Sequence, residues 1–308
     1  MKTSSIRTIC LLLLLIPMLC FSAEIADGAR QGLFLWYNSV VPALFPFMVL
    51  TGLIISSGGI KQIMSPFYVF LNPLFGISYE GCFVLLSGLL CGYPMGAKTC
   101  AEFSHEGRIS LSEGKFLMSI CNHASPMFIL GYVYPWFADH IPASTILISV
   151  YVPVVLIAVV AKVLYLTKSK DKSTYRNFQP ETVTFSIEDS ILSSIEVLCK
   201  IGGYLILFSV LIILIRKLTF LPTFVRVLLI GMMEMTTGIQ EFAEIPDWKQ
   251  AYIATITCLT FGGFSGIFQV KSVLNNKKAG LSVRPYILWK FAHAILSAGL
   301  ASILCNIN

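Results

Sequence analysis

LLSGLLCGYPMGAKTCAE, residues 85–102, decides how the chain is read. Its first half is apolar enough to lie in a bilayer. Gly88, Gly92 and Gly96 follow at four-residue spacing, Pro94 falls between the last two, and Lys98 stands just beyond. Pro94 has no N–H and clashes with the preceding turn. Gly92 and Gly96 let the backbone leave helical geometry. Irregular backbone at membrane depth persists only where protein or a water-filled cavity satisfies its polar groups. The stretch therefore predicts an interrupted helix. Its freed N–H groups and new helix N-terminus would suit an anion, and Lys98 would add a full positive charge. The competing reading is a close-packed face of small residues that ends at Pro94, with Lys98 snorkelling to the interface. Pro94 and Lys98 together favour a site.

The rest of the chain supplies the membrane. Of its 308 residues 56% are hydrophobic and 12% charged, against about 25% charged in a soluble domain. Charge-free runs occupy 31–60, 81–97, 116–138, 141–161 and 250–270; shorter or lightly charged ones occupy 9–23, 62–79, 190–215, 218–240 and 285–305. A spanning helix needs about 20 such residues, and helices satisfy their own backbone in lipid. No run alternates as a barrel strand does. The expectation is an all-α polytopic membrane protein with about eight to ten hydrophobic helices or half-helices, multi-pass in a cell membrane.

Residues 1–30 begin like a signal peptide, with Lys2 and Arg7 before an apolar core. Phe21 in FSA and Leu19 before Cys20 spoil the cleavage sites, so an uncleaved first helix is expected, with a cleaved signal as the alternative. The nine cysteines lie in or beside apolar runs without a C-x-x-C pair, which reads as small buried hydrophobes rather than a metal centre. The net charge of +6 is carried by loops and is no nucleic-acid footprint. Lys168, Lys170, Lys172 and Arg176 mark 167–189 as a cytoplasmic linker, and Asp139 marks 136–143 as external. The second half conflicts: no simple count of crossings puts Arg216, Lys217, Arg226, Lys271, Lys277, Lys278 and Arg284 all inside. A segment that enters and leaves on one side would relieve the conflict.

The linker divides the chain into a first membrane repeat, 31–166, and a second, 190–308. CLTFGGFSGIFQVKS, 258–272, echoes the opening stretch: Gly88 and Gly92 match Gly262 and Gly266 at an offset of 174, with Lys271 near the place of Lys98. Transporters often pair two interrupted helices from two repeats in this way. Other polar residues interrupt apolar runs. Asn122, His123 and Ser125 precede Pro126, and are either functional or tied to backbone freed by Pro126. Glu234, flanked by methionines, reads either as a ligand for a coupling Na+ or H+, or as a partner of Arg226. His293 reads as packing, and the charges of 102–115 read as loop.

Enzyme motifs are sparse. SHEGR, 104–108, ends in Arg where a zinc-protease helix needs His, and no Walker A or metal-ligand spacing appears. GFSG, 263–266, matches the serine motif of rhomboid-type intramembrane proteases, with His293 as the base. Only 28 residues separate Ser265 and His293, room for one crossing where that arrangement has a further helix between. No enzymatic activity and no cofactor are expected.

LWYNSVVPALFPFMVLTGLI (35–54), SGLLCGYPMGAK (87–98), NHASPMFILG (122–131), GMMEMTTGI (231–239) and FGGFSGIFQVKS (261–272) occur in that order. Together they resemble the sporulation integral membrane protein YlbJ family, which carries the nucleoside recognition, or gate, domain. The resemblance runs from about residue 30 to 300, and GYPMGAK is its most specific part. It implies an architecture related to concentrative nucleoside transporters. It also implies movement of a small anionic metabolite, dipicolinate, or a nucleoside-like solute, across the outer forespore membrane. Carried over, it assigns Gly92, Tyr93, Pro94, Gly96 and Lys98 to one half of a substrate site and Gly262, Gly263, Ser265 and Gln269 to the other. Asn122, Ser125 and Glu234 lie between. His123 departs from the small residue the family places after the asparagine. Beyond the solute and the bilayer, homo-oligomers or sporulation membrane partners are the expected associations. The alternative is a non-transporting scaffold that binds partners needed for spore cortex formation.

Overall fold

The structure is a computed structural model that describes residues 8, 12, 15–167, 185–275 and 280–307. The charged start of the signal-like segment, most of the 167–189 linker, Lys277 and Lys278 lie outside the described residues.

The described chain is helical throughout, without strands. Helix α1 (Ser22–Leu35) runs through a π-turn at Trp36–Val40 into α2 (Val41–Ser56). Then come α3 (Ile60–Phe75), α4 (Tyr79–Cys91), α5 (Met95–His105), α6 (Leu111–Ile120) and the short α7 (Pro126–Phe128), which continues as a π-helix over Ile129–Val133. The second half holds α8 (Ala143–Lys162), α9 (Ile187–Arg216), α10 (Thr223–Met233), α11 (Met235–Ala243), α12 (Trp248–Phe261), α13 (Gly263–Asn275) and α14 (Val283–Ile307).

Five stretches among the described residues are long and apolar enough to cross a bilayer: Ser22–Ser56, Ala143–Thr167, Ile187–Arg216, Trp248–Leu274 and Val283–Ile307. Their outer faces expose Leu33, Val159, Leu192, Leu288 and Ile303. A soluble monomer rarely presents so much apolar surface; here lipid is the solvent. The protein is a multi-pass all-α membrane protein.

The remaining apolar runs do not cross singly. Helices α3 and α4 meet at 96°. Chain reversal follows α4: a Cβ on Gly88 would stand 3.1 Å from Gly96 Cα, although eight residues of straight helix span about 12 Å. The tip of this hairpin is Gly92-Tyr93-Pro94, with Gly92 at φ 77° and a cis Tyr93–Pro94 peptide. Run 218–240 reverses in the same manner. A Cβ on Gly238 would stand 2.4 Å from Gly231 Cα, and the tip is Glu234 in extended conformation. Arms of 9 to 13 residues reach about 14–20 Å, short of the roughly 30 Å hydrocarbon core. Two further helices break beside these tips, at Cys121–Ser125 between α6 and α7 and at Gly262 between α12 and α13.

The bases are pinned by polar contacts. Glu113, which the sequence places in a loop, is 4% exposed, and its Oε1 accepts from both the N–H and the hydroxyl of Ser78 at 2.7 Å. That contact joins the start of α4 to α6. The second hairpin is held at its base by Arg216, which donates to Glu241 at 2.6 Å. Helix α9 seats α1 through close approaches at Gly28 and Gly32, and Trp36 donates to the Leu198 carbonyl at 2.8 Å.

Candidate functional site

Each hairpin tip lies against a helix break. A Cβ on Gly92 would stand 3.2 Å from the His123 carbonyl and 3.3 Å from Ser125 N; one on Gly263 would stand 3.2 Å from both Met233 O and Met235 N. The tips also touch each other, where the Tyr93 hydroxyl donates to Met235 Sδ. Four interruptions therefore meet at one place, where the sequence expected two.

Between the tips is an opening of about 700 Å³. One wall is apolar, made by Leu35, Val40, Ala43 and Leu44 of the first span and Ile201 and Leu205 of α9. The other holds Gly92, Tyr93, Ser125, Glu234, Gly262, Ser265 and Gln269, all read from the sequence as site residues. Thr236 and Gly266 also line the opening, as do Ser39 and the apolar side chains of Cys91, Ala124, Phe128 and Met235. Ser265 Oγ accepts from Gln269 Nε2 at 3.1 Å, so both side chains are held one turn apart on α13. The opening shares Leu35, Ser39 and Thr236 with a second space of about 910 Å³, lined also by Gln31, Asn38, Tyr132, Ser209, Arg216 and Gln240.

The other expected site residues lie elsewhere. Lys98 is not in the central opening. It faces a separate space between α2, α5 and α9 with Thr51, Glu102, Glu106, Asp189 and Ser193. Its Nζ is 3.6 Å from Glu102 and 3.3 Å from Ser193 Oγ. One helical turn beyond Pro94 carries the side chain away from the tip. Pro94 precedes the first turn of α5 and is buried, and Gly96 is covered by the Cys121 carbonyl, 2.1 Å from where a Cβ would be. Asn122 is 1% exposed and points away from the opening; its Oδ1 accepts the N–H of Ala97 at 2.7 Å. The N-terminus of α5, which the sequence offered to an anion, is thus capped by the chain itself. Gly263 serves packing against Glu234.

Glu234 is also satisfied internally. Oε1 accepts the N–H and hydroxyl of Thr236 at 2.9 and 2.8 Å, and Oε2 accepts those of Thr237 at 2.8 and 3.1 Å. This is an N-cap on α11, not a pair with Arg226, whose guanidinium reaches Thr223. Ser265 and His293 form no hydrogen bond. His293 Nε2 donates to the Val150 carbonyl at 2.8 Å, and its ring meets the edge of His123 at 4.7 Å.

Lys290 escaped the sequence reading. It lies in WKFAHAILSAGL, inside an apolar run, and an ionisable residue in such a run is itself a functional signal. It is 2% exposed and sits behind the wall of the opening. Its Nζ donates to the Asn122 carbonyl at 3.3 Å and lies 5.9 Å from the centre of the Tyr93 ring.

The curated sporulation integral membrane protein YlbJ of Bacillus subtilis (strain 168) is 26% identical to this chain over an alignment of 319 positions, which covers 90% of the chain and 77% of that protein. No family model and no solved structure matches the chain. The similarity spans both hairpins and both helix breaks, the segments that carry the resemblance in the sequence, and it supports the likeness to the sporulation integral membrane protein YlbJ family.

Proposed function

We propose that the protein is a membrane transporter, not an enzyme, that moves a small polar anion during sporulation, at the outer forespore membrane. The observation that supports this reading most is the convergence of two hairpin tips and two helix breaks on one opening. Irregular backbone of this kind is tolerated at membrane depth where it lines a cavity, and transporters bind solutes there. One apolar wall facing one polar wall suits a compact organic solute with a charged or hydrogen-bonding edge. The polar space that leads on past Asn38 and Arg216 gives such a solute a route from one face. Sporulation enters through the name of the relative, and dipicolinate or a nucleoside-like solute through the resemblance.

The test is uptake of radiolabelled dipicolinate, with uridine as comparator, into proteoliposomes holding the full chain. Saturable dipicolinate uptake is expected. Lys98→Ala should leave KM within about threefold, because the side chain faces a space separate from the central opening. Uridine uptake alone would move the solute class to nucleosides. No uptake of either by folded protein would favour the scaffold reading.

A further inference from the structure

The polar wall of the opening raises a question of charge. Four helix N-termini border it or its immediate support, those of α5, α7, α11 and α13, and side chains cap the first three. Asn122 caps α5, Ser125 Oγ accepts Phe128 N at 3.2 Å on α7, and the Glu234 carboxylate caps α11. At those three the backbone groups that would otherwise cradle an anion are occupied, and one of the caps is itself an anion. Beside the Glu234 carboxylate, a negatively charged solute calls for a nearby cation.

That cation lies directly behind the wall. Helix α14 turns Lys290 and His293, three residues apart and therefore on one face, inward against α8 and α12. A buried ammonium is ordinarily matched by a carboxylate. Among the described residues no carboxylate lies within ion-pair distance of Lys290, and a single carbonyl accepts from its three N–H bonds. The neighbouring group is basic too. His123, the residue after the carbonyl that Lys290 contacts, is 6% exposed, and neither ring nitrogen meets a hydrogen-bond partner of good geometry. Among the described residues, basic side chains gather here without an ion-paired acid, a setting that a solute's negative charge would match.

The wall between Lys290 and the opening is thin. Gly262, at φ 83°, lines the opening, and a Cβ there would stand 3.6 Å from Lys290 Cε and 3.8 Å from Nζ. Tyr93 lies across the ammonium with its hydroxyl tied to Met235 on the opposite tip. We propose that Lys290, behind Gly262 and Tyr93, is the fixed cation that selects small organic anions for the central opening. Parting of the tips releases the Tyr93 hydroxyl and uncovers the ammonium. This inference rests on the transport reading of the same opening.

The experiment compares wild type, Lys290→Met and Lys290→Arg as full chains in proteoliposomes. It measures KM for dipicolinate, a dianion, and the inhibition constant of its neutral diamide. Wild type should prefer the dianion. Lys290→Met should raise the dianion KM by at least about tenfold and leave the diamide constant within about twofold, while Lys290→Arg restores the preference. Exchange of a buried charge for an apolar side chain of similar size is often neutral or stabilising, so the Met variant should melt no lower than wild type. An unchanged dianion KM in folded Lys290→Met, or equal weakening of dianion and diamide, would overturn the inference while the transport reading stands. Absence of uptake in wild type would instead remove the transport reading, and Lys290's role with it.

Discussion

Asn122 holds three parts of the site in register. Its Oδ1 caps α5 through Ala97 N, its carbonyl takes the Lys290 ammonium, and its backbone lies in the break between α6 and α7. Removal of the amide leaves a buried N–H without an acceptor, which costs about 1–3 kcal/mol. Asn122→Ala should therefore lower the thermal midpoint in detergent, followed by tryptophan fluorescence. Asn122→Asp keeps an acceptor oxygen and should recover most of the loss; equal stability of Asn122→Ala and wild type would contradict the capping role. At this scale the sequence was half legible. Asn122, Ser125 and Glu234 stand out as polar residues in apolar runs, but what each side chain meets is not written nearby. The N–H that Asn122 caps is 25 residues away. Lys98 was persuasive because it follows the tip closely, yet a helix turns side chains by about 100° per residue, and its position sends it to a different space.

Among the elements, the two hairpins decide the architecture. Each tip forms where a helix cannot continue: at Gly92 and Pro94 in one case, and in the other at Glu234, whose extended backbone starts a new helix that its own carboxylate caps. The first tip was legible because glycine and proline break helices for reasons readable in the residue type. The second was not, since glutamate is a good helix former and only the four donors of Thr236 and Thr237 make it a cap. The offset of 174 proved a poor guide to equivalence. It equates Gly92, at a hairpin tip, with Gly266, on α13 after a helix break, and small residues recur too often in membrane helices to fix a register. Tip corresponds to tip at Gly92 and Glu234, and break to break at Asn122 and Gly262. Close packing of the first hairpin gives a sharp test. A Cβ on Gly88 would fall 1.9 Å from the Cys121 carbonyl, whereas one on Gly203 of α9 meets nothing within 4 Å. Gly88→Ala should reduce the yield of folded, monodisperse protein on size exclusion, because backbone must move. Gly203→Ala should be neutral or stabilising by up to about 1 kcal/mol. Equal behaviour of the two variants would contradict the packing.

For the molecule as a whole, the hairpins settle the charge conflict of the second half. With run 218–240 folded back, one crossing rather than two separates Arg216 from Lys271. Lys271 and Arg284 then share the face where α8 ends and α9 begins, the face of the basic linker. Arg216 and Lys217 remain on the opposite face, each paired with an acid, Glu241 and Glu24 respectively. Composition made the membrane class plain, and the conflict of charges hinted at a returning segment. The location of the solute site depended on which apolar runs cross, and hydropathy does not distinguish a hairpin from a span.

The central claim is that solute binds between the hairpin tips and not beside Lys98. Ser39 is exposed and lines the central opening; Ser193 is exposed and lines the Lys98 space. The most direct measurement is the rate at which a water-soluble thiol reagent modifies Ser39→Cys and Ser193→Cys, each in a background without Cys10, Cys20 and Cys199, with and without dipicolinate. At ten times Kd the solute should slow modification of Ser39→Cys about tenfold and leave Ser193→Cys unchanged. Protection of Ser193→Cys with none at Ser39→Cys would place the site at Lys98 and contradict the account.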